Sequence, residues 1–146
     1  MYQITRKNRI KEQLQLCHEN GSVALVLDVD LNVDEIASRV NKAYEVLGAA
    51  QLALDKDPSD PRTMEAYGKA VSAVFTVIFG EDGAEKLLAF YENNYTEMLL
   101  DIFPFLNNEI MPKIREASAN RKAQLLEAAR LAKQGNRAAR RGIFRP

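Results

Sequence analysis

Between Gly68 and Ala117 apolar residues return at helical spacing almost without a break, and this ladder constrains the fold more than any other stretch. Val71, Val74, Phe75, Ile78 and Phe79 form one stripe. Leu87, Leu88, Tyr91, Tyr95, Met98, Leu99, Ile102, Phe103, Leu106, Ile110 and Ile114 form the next. Residues three and four apart share one side of a helix, so both stripes are expected to make the core. The rings from Tyr67 to Phe105 follow the same spacing and read as core, not as a stacking platform for bases. Tyr91 and Tyr95 are set apart because they flank Asn93-Asn94, where the helix is expected to break. A phenol at such a break can stay at the surface, which makes these two residues candidate partner contacts.

Upstream, Leu14 and Leu16 alternate with Gln13 and Gln15, Asn20-Gly21 comes next, and then the β-rich run SVALVLDVD. Asn-Gly between two such runs is a strong hairpin signal, since both residues tolerate the positive φ of a type I′ turn. Strands are expected at about 11–18 and 22–30, with a helix over Arg9–His18 as the competing reading. Residues 1–10 give no clear pattern and fit either a frayed arm or an extension of the first strand. Asp28 and Asp30 fall on one side of the second strand, where a solvated face is the expected reading ahead of a metal or acid–base pair.

Helix starts and stops are marked by local chemistry. Asn32 is a good N-cap, with Asp34 and Glu35 in the first turn and Leu31 placed to pack on Ile36. Ile36, Val40, Tyr44, Leu47 and Leu54 mark the inward stripe, and the helix is expected to fade near Asp55. Asp60-Pro61 restarts the chain as cap and N1 proline. Gly80 is read as a left-handed stop after Phe79, and Asp82 with Glu85 as the opening of another helix. Pro104 and Pro112 each remove a backbone donor, so kinks or fresh starts are expected there. From Lys113 the chain favours helix until Gly135, but beyond Ala119 its apolar residues thin to Ala and Leu.

The fold class read from these signals is mainly α (α+β). An N-terminal β-hairpin packs on a bundle of four to five helices, with a long C-terminal helix and a basic tail after them. At 146 residues, 47% of them hydrophobic, one core is expected over residues 1–134, with 135–146 as a basic, flexible tail. No apolar run reaches the roughly 18 residues of a membrane span, and MYQITRKNRIK lacks a signal-like apolar core. The lone Cys17 fits a reducing compartment, so cytoplasmic residence is expected.

Charge is distributed unevenly. Residues 1–120 carry 12 Lys/Arg against 19 Asp/Glu, a net −7, while residues 121–146 carry 8 against 1, a net +7. Such asymmetry marks an interaction tail. Arg137, Arg140, Arg141, Ile143 and Phe144 suit docking on a protein groove with acidic rims, with a merely solvated tail as the next reading. Nucleic acid is the weaker reading, because no base-reading motif accompanies the arginines and the acidic body would repel a duplex.

Catalytic chemistry is not called for. Cys17 and His18 are neighbours on one strand and point to opposite sides, so a shared metal is not expected. No phosphate-loop glycine pattern and no nucleophile elbow occurs. The sequence therefore points to no cofactor, no metal, no catalytic residue and no enzyme activity. A structural particle component is a further non-enzymatic alternative.

The stretch FGEDGAEKLLAFYENNYTEMLLDIFPFLNNEIMPKI, with the preceding hairpin and the capped helix start DVDLNVDEI, resembles the tail assembly chaperones of long-tailed phages and prophages of Gram-positive bacteria. The likeness spans roughly Leu14 to Ala123. It implies a non-enzymatic protein that coats the tape-measure protein, keeps it soluble and helps recruit tail-tube subunits in the cytoplasm of the bacterial host. It also implies, for many members, a longer form made by ribosomal frameshifting; a possible homo-oligomer is expected separately, since a small helical domain can self-associate along a long client. No functional residue is carried over by the resemblance, since the family shares no active site, and the tail after Ala123 lies outside it.

Overall fold

Alternation on the two sides of a pleated ribbon decides the N-terminal element. The computed structural model describes the backbone of residues 1–5 and 9–143 and the side chains of 1–5 and 9–137. Strands β1 (Arg9–Cys17) and β2 (Val23–Asn32) pair antiparallel. Ile10, Leu14 and Leu16 lie opposite Leu31, Leu27 and Leu25, which places the apolar residues of both strands on one face. The competing helix over Arg9–His18 does not form. On the other face Asp28 accepts from Gln13 at 2.7 Å and Asp30 pairs with Arg9 at 2.6 Å, as a solvated polar face would.

The connecting turn differs from the expected type I′ geometry. Gly21 has φ +85 but Asn20 is not in a positive-φ conformation. Gly21 N–H donates to His18 O, and the Asn20 side chain accepts from Ser22 N–H at 2.9 Å. A single left-handed residue after a tight turn, with a bulge between Leu16 and Cys17, closes the ribbon instead.

Helix α1 (Val33–Lys56) starts at Asn32, whose side chain accepts from Asp34 N–H. Helix α2 (Pro61–Phe90) starts at Asp60, with the proline in the first turn. Its axis breaks at Gly80, where φ 79 and ψ 171 interrupt the helical backbone. The positive φ agrees with the expectation from sequence. The ψ value, however, belongs to the extended region open to glycine and not to a left-handed helical stop.

Asn93-Asn94 does interrupt the chain. Glu92 and Asn93 both take positive φ, at 54° and 62°, before α3 (Tyr95–Phe105) begins. The prolines make no further division. A π-helical turn at Leu106–Ile110 runs directly into α4 (Met111–Ile143), so Tyr95 to Ile143 is one continuous rod. Met111 N–H reaches back to Leu106 O across the widened turn. That extra residue gives the Pro112 ring room against the preceding carbonyls, which an α-turn would crowd. Among the described residues the helices form three rods, the second made of two helices that meet at the kink at Gly80. Gly135 does not end α4 either, because one glycine among strong helix formers costs only about 1 kcal/mol.

The core joins the inner face of the hairpin to all three rods. Phe75, Leu87, Met98, Ile102, Leu106, Ile110 and Ile114 are fully enclosed there, together with Val29, Val40, Val71 and Val74. Phe103, assigned from its spacing to the core stripe, is instead 44% exposed. With Leu100 it lies on the outer side of α3, where nothing among the described residues covers it. No described helix is long and apolar enough to cross a membrane.

Candidate protein-docking surface

The apolar stripe of α2 begins before its cover does. Met64 lies seven residues ahead of Val71, on the same side of the helix, yet it is 57% exposed. The result is an open groove of about 720 Å³ between the end of α1, the start of α2 and the turn into α3. Leu54, Met64, Tyr67 and Tyr95 supply its apolar lining, and Glu65, Glu97, Asn93 and Asn94 line it as polar residues.

The wall on the α3 side is held rigidly. Tyr67 is buried and its hydroxyl lies 3.1 Å from Thr96 Oγ1, tying α2 to the first turn of α3. Asn93 N–H donates to Leu88 O and Asn94 N–H to Tyr91 O, which fixes the two positive-φ residues. Gly68 brings the backbone of α2 against the Tyr95 ring, where no larger side chain would leave the ring in place. Asn94, the N-cap residue of α3, makes no capping hydrogen bond with its side chain.

The residues singled out from sequence fall into separate groups. Tyr95 lines the groove. Tyr91 does not: it is buried, packs edge-on against Phe90, and donates its hydroxyl to Asp101 at 3.1 Å. Burial, and then the hydrogen bond to Asp101, push its phenol well above the ordinary tyrosine range. Arg137 is exposed on α4, some 42 residues along the same rod from Tyr95, or on the order of 60 Å at the helical rise. The side chains of Arg140, Arg141 and Ile143, and Phe144 as a whole, lie outside the described residues.

Sequence spacing missed the role of Leu54, which reads as part of the inward stripe of the first helix, and did not single out Met64. The available signal was their position at helix ends flanking the polar loop KDPSD, where a stripe can run past its cover. A second cleft of about 390 Å³ lies between the start of β1 and α4, lined by Arg9, Lys11, Lys113 and Arg121. Arg9, Lys113 and Arg121 are already paired with Asp30, Glu12 and Asp34. Among the described residues no group of three or more His, Cys, Asp or Glu side chains is placed to hold a metal. Cys17 is exposed, and the His18 ring rests 6.2 Å from that of Phe90.

No protein-family model, curated protein or solved structure matches this chain.

Proposed function

We propose that the protein is a non-enzymatic tail assembly chaperone, which binds a long helical client by seating an apolar helix face in the groove between α1, α2 and α3. The observation that carries this reading is the groove itself, an open and largely apolar trough about 720 Å³ in volume with the carboxylates of Glu65 and Glu97 in its lining. A helix presenting residues at i, i+3, i+4 and i+7 fills such a trough, and the lining charges select its polar flank. Exposed Leu100 and Phe103 on α3 extend the apolar surface available to a client. The sequence resemblance names the client as the tape-measure protein, with the tail-tube protein as a second partner and the host cytoplasm as the place of assembly. Weak contacts repeated along a long client give a combined affinity that no single groove needs to supply.

Co-expression with the tape-measure protein tests the reading. The expected result is a soluble complex that is lost when Met64→Asp and Tyr95→Asp are combined. A client equally insoluble with and without the protein refutes it.

A further inference from the structure

The half of α4 beyond Arg121 stands clear of the body. Every described side chain from Lys122 to Arg137 is exposed on all sides of the helix. Arg121 itself is paired with Asp34 at 3.2 Å. At about 100° per residue, Lys122, Arg130, Lys133 and Arg137 fall within an arc of about 80°. At about 1.5 Å per residue they run along about 22 Å of the helix. Within this half the sequence has one acid, Glu127, which holds Arg130 at 2.6 and 3.0 Å. Further on the sequence adds Arg140, Arg141 and Arg145 and no acidic residue.

The acidity of the body counts against a polyanionic partner only if the basic segment lies close to it. A projecting helix separates the two. Lys133 and Arg137 lie about 18 and 24 Å past Arg121 at the helical rise. Both distances are more than twice the Debye length of roughly 8 Å at physiological salt, so the net negative charge of the body is screened where these cations act.

We propose that the projecting half of α4 binds duplex DNA through the phosphate backbone, without reading bases. Charge is what this face offers. Leu126 is the one large apolar residue within the cationic arc, and from Ala132 to Arg137 the cations are accompanied only by Ala, Gln, Gly and Asn. A protein partner would gain little buried apolar area there. Phosphate neutralisation with counterion release needs no such area. The helix, about 10–12 Å across, also matches a major groove about 12 Å wide. This surface lies at the opposite end of the rod from the client groove, and neither proposal depends on the other.

The test uses the full chain and a fluorescein-labelled DNA duplex of mixed sequence, with anisotropy measured from low to physiological salt. The logarithm of affinity is expected to fall linearly with the logarithm of salt concentration. Lys133→Glu combined with Arg137→Glu should weaken binding at least about tenfold and flatten that slope by about 2. Glu127→Gln, which releases Arg130, should tighten binding by about twofold to threefold. Changes of opposite sign in two exposed variants cannot both come from unfolding. No binding at low salt, or unchanged binding by the charge-reversed variant, overturns the proposal. So does labelled polyglutamate binding as tightly as the duplex, which would assign the surface to an acidic protein.

Discussion

The ring of Tyr95 closes over Gly68, so that a methyl group at the glycine would stand 2.8 Å from Cε2 and 2.9 Å from Cζ of the tyrosine. This contact sets α3 against α2 at the floor of the groove. It makes the two positions energetically dependent on one another, although 27 residues separate them in the chain.

Gly68→Ala raises helix propensity by about 1 kcal/mol but forces the ring aside. In a Tyr95→Ala background the methyl has room, and the substitution should stabilise by up to about 1 kcal/mol. With Tyr95 present it should be neutral or destabilising. Urea unfolding of the four proteins is expected to give a coupling of at least about 1 kcal/mol, whereas additive effects would show that the contact does not constrain the ring.

Gly80 holds φ 79 and ψ 171, and a side chain there would meet nothing within 4 Å. The cost of Gly80→Ala is therefore a backbone cost alone, about 1–3 kcal/mol for that region of conformational space. A variant as stable as the parent would mean that the bend in α2 can be made by an ordinary residue.

Phe75 is fully buried and stacks on Phe79 with ring centroids 6.1 Å apart. Truncation to alanine should cost about 3–5 kcal/mol. Phe103, on the same sequence periodicity but on the outer side of α3, should cost less than about 1 kcal/mol when truncated. Equal losses at the two positions would return Phe103 to the core.

Tyr91 gives the stability a pH dependence. Its phenol is raised in the folded state by burial and by Asp101, while in the unfolded chain it titrates near pH 10. The folded protein holds the proton more tightly, so this contribution is complete below about pH 10 and is lost as pH rises toward the folded value. Tyr91→Phe should cost about 0.5–1.5 kcal/mol at neutral pH through the lost hydrogen bond. It should also flatten the decline above about pH 10, leaving the smaller slope expected from Tyr44, which burial raises in the same direction. An identical alkaline decline in both proteins would contradict the assignment.

Much of this architecture was legible from local chemistry alone. Asn32 and Asp60 open helices because their short side chains accept from N–H groups two residues on, a bond made within a few ångströms of chain. The alternation of Leu25, Leu27, Val29 and Leu31 selected one face of β2, and the period of Val71, Val74, Phe75 and Ile78 selected one face of α2, because covalent geometry sets both repeats. Where each stripe ceases to be covered was decided only by tertiary structure. Met64 and Phe103 carry the spacing of core residues, and they are exposed because no neighbouring rod reaches them. Tyr91, placed in the core stripe by its spacing and also held out as a candidate partner contact, is buried, and Asp101 on the next helix accepts from its hydroxyl. Pro104 is carried inside α3 and Pro112 follows a π-turn, so neither divides the rod, and the basic segment became part of a projecting helix. Burial depends on which elements meet, and a periodic pattern carries no record of where its partner ends.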